Sequence, residues 1–336
     1  MYGMPVIYDI AYNPPHIFKN GHINTIIPFL FRTSVNTGFS RVREETPDGD
    51  FIDVDTISNG SNSLAVFCHG LEGNSRSRYM TNIARLFSEY GFDVVSWNYR
   101  GCSGEPNLKK RFYHSGATED LDFIINTFGK NYSDITLVGF SLGGNLLLKY
   151  LGDGIFTIPL NVKCAVAISA PVDLYSASER LHSKDCYFYA KRFLYLLKQK
   201  VKAKHRLRPD EIDTEPLRRI KTLRDFDNYY TAPIHGFKDA EDYWKQCSSL
   251  PYLKKIDIPT LILNAADDPI LGKKCYPKHE ANINSKLTLL LPRYGGHVGF
   301  YTPDSHYTWA EKQALSFVSN YIDTKGKNKD NDFSLG

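Results

Sequence analysis

Short runs of consecutive apolar residues recur along the chain, and stretches with the spacing of an amphipathic helix separate them. Such runs are typical of strands that are covered on both faces of a sheet. We expect strands at residues 64–68, 92–97, 135–139, 164–169, 260–263 and 286–291. We expect helices at residues 75–90, 118–128 and 142–151, and apolar residues recur at helical spacing again between 307 and 321. This alternation predicts an α/β fold with a mostly parallel, doubly wound sheet.

Three stretches interrupt the alternation. Residues 1–40 are rich in Pro, Asn and aromatic side chains and have no clear period, so we predict an N-terminal arm that lies across the domain. Residues 172–250 contain many aromatic residues and no convincing strand, and they fall between two predicted strands; we predict a mostly helical lid insertion. Residues 324–336 are polar, and we predict a disordered tail. The core of the fold then comprises residues 41–171 and 251–323.

The composition and charge of the chain indicate which classes of partner it binds. Of the 336 residues, 42% are hydrophobic and 23% are charged, as in ordinary globular proteins. The 41 basic and 37 acidic residues nearly cancel, so no nucleic-acid partner is predicted. The basic run from Lys191 to Arg208 is interpreted as a solvated helix face. Because aromatic residues interleave with its start, a transient contact with an anionic lipid surface is the alternative.

Cysteine usage and the N-terminus indicate the compartment. The six cysteines show no C-x-x-C pair, and nothing resembles a disulfide framework or a zinc site. The segment from Met1 to Asn20 lacks the pattern of a signal peptide, and no apolar stretch approaches the ~18 residues of a membrane helix. We therefore expect a soluble, cytoplasmic protein without a bound metal; its oligomeric state is not predicted.

A candidate nucleophile follows the third predicted strand, in the segment Gly139-Phe140-Ser141-Leu142-Gly143. This segment matches the G-x-S-x-G nucleophile elbow, in which a tight turn points the serine Oγ out of the sheet and flanking glycines leave room for neighbouring backbone. A five-residue match alone also fits an ordinary glycine-rich turn. The preceding strand and the following helix make the match more specific, and we predict Ser141 as the nucleophile.

A serine hydroxyl needs a base to take its proton and an acid to orient that base. In chains with this elbow the order is Ser, then Asp or Glu, then His. Asp267 and Asp268 follow the strand at 260–263, and His297 follows the strand at 286–291. These loops end strands on the edge of the sheet that carries Ser141. We predict His297 as the base.

The oxyanion hole is predicted from the loop that follows the first buried strand, His69-Gly70-Leu71-Glu72-Gly73-Asn74. A hydrolase places a loop with one oxyanion-binding N–H at this point. We assign the two donors to the backbone N–H groups of Leu71 and Leu142. Without Ser141, the same loop would be interpreted as an ordinary turn at the end of a strand.

Taken together, these motifs resemble the YheT-like group of α/β-hydrolases (the AB-hydrolase 4 group), which is related to medium-chain acyl esterases and to acylglycerol or phospholipid lipases. The resemblance extends over roughly residues 14 to 322. Its motifs are Asn24-Thr25-Ile26, His69-Gly70-Leu71-Glu72-Gly73, Asn98-Tyr99-Arg100-Gly101-Cys102-Ser103-Gly104, Tyr113-His114-Ser115-Gly116, Gly139-Phe140-Ser141-Leu142-Gly143-Gly144-Asn145, Phe226-Asp227, Thr231-Ala232-Pro233, Gly236-Phe237, Asp267-Asp268-Pro269 and Gly295-Gly296-His297-Val298-Gly299-Phe300.

The resemblance implies the α/β-hydrolase fold, esterase activity, no cofactor and a helical lid. In related loops a small residue stands three positions before the catalytic Asp; Ala265 stands so before Asp268, and we therefore favour Asp268 over Asp267 as the triad acid. Arg100 and His114 belong to the motifs, but we give them structural roles, such as binding loop carbonyls.

We predict a serine esterase that acts through an acyl-enzyme on small-molecule acyl esters, with medium-chain or acylglycerol-like esters preferred over acetate. Two alternatives stay open: an acyltransferase that uses the same triad with an alcohol acceptor, and a hydrolase-fold protein that only binds a ligand. Individual substrate-binding residues are not assigned. At least half of the aromatic and leucine side chains of residues 172–250 should form the core of the insertion, and the remainder should line an apolar acyl pocket.

Overall fold

A computed structural model describes residues 6–8 and 12–324. Its centre is a nine-stranded sheet in the order β1-β9-β8-β7-β6-β4-β5-β3-β2. The strands are β1 (Val6–Tyr8), β2 (Ser40–Glu45), β3 (Phe51–Ile57), β4 (Ser63–Cys68), β5 (Asp93–Trp97), β6 (Asp134–Phe140), β7 (Val162–Ile168), β8 (Thr260–Leu263) and β9 (Leu287–Leu291). In this order, each pair of neighbouring strands from β1 to β5 is parallel. The last two pairs, β5 with β3 and β3 with β2, are antiparallel. The predicted α/β fold is confirmed.

Helices cover both faces of the sheet. They are α1 (Gly21–Phe31), α2 (Arg78–Glu89), α3 (Thr118–Phe128), α4 (Leu142–Gly152), α5 (Leu174–Leu181), α6 (Tyr187–Leu207), α7 (Leu223–Phe226), α8 (Ala232–His235), α9 (Ala240–Cys247), α10 (Lys278–Ile283) and α11 (Trp309–Ser319). Along β4, Leu64 and Val66 pack into the core beneath α3 and α4, whereas Ala65 and Phe67 pack into the core beneath α2 and α11. Every position of the strand is therefore buried, which explains its continuous apolar sequence.

The N-terminal segment contains two regular elements that the sequence pattern does not predict. Strand β1 pairs with β9 at one end of the sheet, and α1 follows it in the chain. Asn20 caps α1, because its side chain accepts the backbone N–H groups of His22 and Ile23. Residues 1–40 thus include part of the sheet and a helix that reaches the active-site loops. The predicted tail, residues 324–336, lies outside the described residues except for Thr324.

Between β7 and β8 the described chain has helices α5 to α9 and no strand. These helices have a core of their own, which includes Leu194, Val201, Leu217 and Ile220. Several aromatic side chains of the insertion were expected to form this core or to line a pocket but are instead exposed to solvent. They are Tyr175, Tyr187, Phe188, Tyr195 and Tyr229.

The basic run on α6 is not the fully solvated face that the sequence suggests. Lys198 Nζ donates to the carbonyl oxygens of Leu217 and Ile220 at 2.9 and 2.7 Å. Lys204 is buried, and its Nζ donates to Lys109 O at 2.8 Å. A lysine ammonium has three donors, and carbonyl oxygens of loops and helix ends can accept them. The helix therefore has an inner basic face as well as an outer one.

Candidate active site

Ser141 lies on a strained turn between β6 and α4. Its backbone φ is 50°, in the left-handed region that non-glycine residues rarely adopt. A Cβ on Gly139 would overlap the carbonyl of Gly143, and a Cβ on Gly143 would overlap the carbonyl of Cys68. The two glycines of the elbow are thus sterically required, and the turn places Ser141 at the N-terminus of α4, where the helix dipole favours negative charge.

Three side chains that the sequence places in separate loops meet at the carboxyl ends of the strands. Ser141 Oγ lies 2.9 Å from His297 Nε2, and His297 Nδ1 lies 2.8 Å from Asp268 Oδ2. The Asp268 side chain is fully buried and the His297 side chain is 9% exposed. A base that contacts a hydroxyl on one ring nitrogen and a carboxylate on the other is held in one tautomer and one orientation.

The structure separates the two neighbouring aspartates. Asp268 Oδ1 accepts the backbone N–H groups of Ile270 and Leu271 at 2.8 and 3.3 Å, which leaves Oδ2 directed at His297. Asp267 instead accepts Gly296 N–H at 2.9 Å. Burial raises the pKa of Asp267 to about 6. Asp268 therefore contacts the histidine ring, while Asp267 braces the loop that carries it.

Helix α1 supports the histidine loop, a contact that the sequence does not reveal. Thr25 Oγ1 accepts His297 N–H at 2.8 Å and itself donates to Gly21 O at 2.7 Å. Asn24 Oδ1 accepts Tyr301 N–H at 3.0 Å on the far side of the same loop. Asn24 and Thr25 belong to the first motif of the family resemblance, which was the signal available in the sequence.

The two predicted oxyanion donors lie beside Ser141. Leu71 and Leu142 line one cavity with Ser141. On either side of Leu71, Gly70 N–H donates to Tyr79 OH at 2.8 Å and Glu72 N–H donates to Tyr113 OH at 2.9 Å. Within the described residues the Leu71 N–H has no hydrogen-bond partner, and the Leu142 N–H is at the first position of α4, where no intrahelical partner exists.

His69 fixes the start of the Leu71 loop. Its Nε2 accepts Tyr99 N–H at 3.1 Å, and its Nδ1 lies 2.8 Å from Gly70 O. Burial lowers its pKa to about 3, so the ring is neutral and donates from Nδ1. Arg100, expected to bind loop carbonyls, instead pairs with carboxylates: Asp120 at 2.7 Å and Asp50 at 3.0 Å.

A cavity of about 150 Å³ extends from Ser141 between the sheet and the helices of the insertion. Its apolar lining comes mainly from α5, α6 and α7. These residues include Leu174, Ala177, Leu181, Phe193, Leu197, Leu223 and Phe226. The insertion thus supplies an apolar wall beside Ser141.

Other potential sites are few in the part of the chain that the structure describes. No group of three or more His, Cys, Asp or Glu side chains there could hold a metal ion. All six cysteines lie in this part, and each is buried as a free thiol. None of the described helices is both long enough and apolar enough to cross a membrane.

Comparison with known proteins also indicates an α/β-hydrolase. Residues 66–304 match the family model described as alpha/beta hydrolase fold. The chain is 36% identical over 323 residues to the candidate esterase YheT of Escherichia coli (strain K12), across 93% of this chain and 94% of that protein. It is 31% identical over 268 residues to the phospholipase ABHD3 of Homo sapiens, across 76% of this chain and 65% of that protein.

A third relative and the solved structures extend the comparison. The monoacylglycerol lipase of Saccharomyces cerevisiae is 30% identical over 276 residues, across 79% of this chain and 61% of that protein. Among solved structures, the esterase Pf2001 of Pyrococcus furiosus superposes with a TM-score of 0.56 at 15% identity, across 87% of this chain and 99% of that chain. At this identity the superposition supports the fold alone.

Proposed function

This chain belongs to the α/β-hydrolase family as a carboxylic ester hydrolase, and we propose that it is a serine esterase. The resemblance to the YheT-like group is confirmed. We propose that the enzyme cleaves medium-chain acyl esters or acylglycerol-like lipids through an acyl-enzyme. The observation that carries the proposal is the continuous chain of contacts from Ser141 Oγ through the His297 ring to Asp268. No cofactor is part of the proposed chemistry.

In the proposed first step, Ser141 Oγ attacks the ester carbonyl while His297 Nε2 takes the hydroxyl proton. The carbonyl oxygen becomes negative and binds the backbone N–H groups of Leu71 and Leu142. His297 then gives the proton to the departing alcohol, which leaves an acyl group on Ser141. In the second step water attacks this acyl-enzyme while His297 takes a proton from the water. The bond from the acyl carbon to Ser141 Oγ then breaks, the carboxylic acid leaves, and His297 returns the proton to Ser141 Oγ. Asp268 stabilises the imidazolium in both steps.

The substrate class is proposed from the cavity and from the relatives. An apolar wall of leucine and phenylalanine side chains beside Ser141 favours an acyl chain over a polar group. Each buried CH₂ contributes ~0.8 kcal/mol, so a longer chain should gain transition-state binding until the cavity is filled. Two relatives are named as a phospholipase and a monoacylglycerol lipase, which agrees with an acylglycerol-like lipid as the substrate.

We propose that residues 172–250 act as the lid and that the outer face of α6 makes transient contact with anionic lipid. Three aromatic side chains of α6 are more than half exposed: Tyr187, Phe188 and Tyr195. Lys191 and Arg192 are exposed between them, and α6 contains no acidic residue. Aromatic and basic side chains on one helix face are typical of helices that lie in the membrane interface.

Helix α1 extends this surface. Its last three residues, Phe29, Leu30 and Phe31, are exposed by 50%, 48% and 73%. The Arg192 guanidinium lies 4.9 Å from the centroid of the Phe29 ring, so the two helices present one continuous apolar and basic surface. We propose a cytoplasmic location for the protein, because free buried thiols suit a reducing compartment.

An ester panel tests the proposed function. Purified wild-type chain and Ser141→Ala are assayed on esters of one alcohol with acyl chains of increasing length, from acetyl upward. We expect kcat/KM of the wild type to rise several-fold per added carbon until the cavity is full, and Ser141→Ala to show no turnover above background. A rate that falls steadily from acetyl upward would remove the acyl pocket. Full activity in Ser141→Ala would remove the serine mechanism.

A further inference from the structure

The cavity beside Ser141 has a polar end as well as an apolar wall. Its polar lining comes from the loop after β5 and from the region of α8 and α9: His114, Ser115, Asp227, Thr231, His235 and Tyr243. The ring centroids of His114 and His235 lie 4.5 Å apart, and Tyr243 OH donates to Ser115 Oγ at 2.8 Å. Polar side chains in a buried wall cost free energy unless each finds a partner.

Two polar atoms of the cavity lining have no such partner. His235 Nε2 and Ser178 Oγ are buried and form no hydrogen bond within the described residues. The neighbouring Asp227 is by contrast satisfied, since it accepts Thr231 Oγ1 at 2.6 Å and Trp244 Nε1 at 2.8 Å. Unpaired buried polar atoms are rare in folded proteins, and these two lie in the cavity that holds the nucleophile. They therefore indicate that a ligand supplies the missing hydrogen bonds.

The charge state of the two histidines narrows the chemistry of that ligand. Burial lowers the pKa of His114 and of His235 to about 3, so both rings are neutral near pH 7. Gly116 N–H donates to His114 Nδ1 at 3.2 Å, which leaves the ring hydrogen on Nε2. Two neutral imidazole rings beside the carboxylate of Asp227 do not favour the binding of an anion. They suit a neutral ligand group that donates one hydrogen bond and accepts another.

We propose that this end of the cavity is a subsite for a hydroxyl group of the ester substrate, with His235 as its main partner and with His114 beside it. The inference rests on the proposed function and assigns a further feature to its substrate. The hydroxyl belongs either to the alcohol part, as in a glycerol monoester, or to the acyl chain, as in a hydroxyacyl ester. Both sources present the same group to the histidines.

Two matched pairs of substrates separate these sources in the wild-type chain. The first pair is glycerol monodecanoate and propyl decanoate, which differ only in the hydroxyls of the alcohol. The second pair is p-nitrophenyl decanoate and its hydroxydecanoate counterparts, with the hydroxyl at successive positions of the acyl chain. In at least one pair we expect kcat/KM to favour the hydroxylated ester by about tenfold, the gain from one additional hydrogen bond. Ratios near one in both pairs would overturn the proposal.

Variants of His235 connect the preference to the subsite. His235→Phe keeps a ring but removes Nε2, and we expect it to bring the ratio of hydroxylated to plain ester toward one. His235→Gln retains a polar group and should keep part of the ratio. His279→Phe, a matched change at an exposed position of α10, should keep the wild-type ratio. A wild-type ratio in His235→Phe would also overturn the proposal.

Labelling of Ser141 by a fluorophosphonate shows whether each variant retains a folded active site. Should His235→Phe fail to fold, the wild-type ratios and the His235→Gln variant still decide the matter. Failure of the subsite is distinct from failure of the proposed function: in the first case Ser141 is labelled and plain esters are cleaved, and in the second neither occurs.

Discussion

Lys200 Nζ on α6 lies 3.1 Å from Glu72 Oε1 in the loop that carries the predicted oxyanion donor Leu71. Both side chains are nearly buried, at 12% and 8% exposure. Lys200 also donates to Gly101 O at 3.0 Å, and Tyr113 OH donates to Glu72 Oε1 at 2.7 Å. The insertion is therefore joined to the oxyanion loop by an ion pair with little access to water.

Lys200→Met should lower both stability and activity. Removing one partner of a buried ion pair leaves the other charge unpaired, which costs ~3–5 kcal/mol, and here the unpaired carboxylate of Glu72 is next to Leu71. We expect a loss of this order in the free energy of unfolding by urea, together with a fall in kcat.

Lys202→Met is the matched control, because Lys202 is exposed on the same helix. The double variant Glu72→Gln/Lys200→Met removes both charges and should recover part of the stability. Equal stability and kcat in Lys200→Met and Lys202→Met would show that the ion pair does not hold the loop.

The two aspartates should differ sharply in kinetics. Asp268→Asn removes the carboxylate that accepts from His297 Nδ1 and should lower kcat by on the order of 10⁴, as loss of the correct tautomer does in other triads. Asp267→Asn keeps the hydrogen bond from Gly296 and should cost less than about tenfold. Steady-state rates on one ester compare the two variants directly; the reverse ranking would show that Asp267 is the triad acid.

Stability should fall in acid partly because of the buried histidines. The folded-state pKa of His235 is lowered from 6.5 to about 3 by burial. Between these values the unfolded chain binds a proton that the folded chain does not. The stabilising contribution is therefore complete above pH 6.5 and is lost as the pH falls, by up to about 1.4 kcal/mol per pH unit.

Urea unfolding at pH 7 and pH 5 measures this contribution. His235→Gln should lose less stability than the wild type over this interval, because the titrating ring is absent. His279→Gln, at an exposed position, should lose as much as the wild type. An identical loss in His235→Gln and wild type would mean that His235 is not kept neutral in the fold.

The proposed lipid surface should bind vesicles in a charge-dependent way. We expect wild-type protein to float with vesicles that contain anionic lipid, less so with zwitterionic vesicles, and less again at high salt. The double variant Phe31→Ser/Phe188→Ser should lose most of this binding. Leu160→Ser is the control, since Leu160 is 95% exposed and precedes the amino end of β7, whereas the insertion follows the carboxyl end of that strand. Equal binding by both variants would place the contact elsewhere.

Much of the fold could be predicted because its central strands are buried and mostly apolar. The predicted strand at 260–263 has the observed bounds of β8, and the predicted helix at 118–128 has those of α3. The elbow at Ser141 and the order of Asp and His follow from short local motifs. These features depend on neighbouring residues, and the sequence therefore contains them directly.

Features that depend on long-range contacts could not be predicted. Helix α1 contains Pro28 and shows no clear amphipathic period, and its contact with the active site joins Thr25 to His297, 272 positions apart. Lys200 belongs to the same basic run as the exposed Lys202, and the pattern of the run does not show that Lys200 faces Glu72. The sequence pattern does not show which face of a helix contacts a distant loop. It also does not show which buried polar atoms lack a hydrogen-bond partner.

Reaction with a fluorophosphonate probe, followed by mass spectrometry of the labelled peptide, shows whether Ser141 is the nucleophile. We expect one adduct, on Ser141, that forms in parallel with the loss of ester hydrolysis. We expect no adduct in Ser141→Ala, and labelling slowed by orders of magnitude in His297→Ala, because the base no longer activates the hydroxyl. An adduct on another residue that abolishes hydrolysis, or an active enzyme in which Ser141 remains unlabelled, would contradict this role of Ser141.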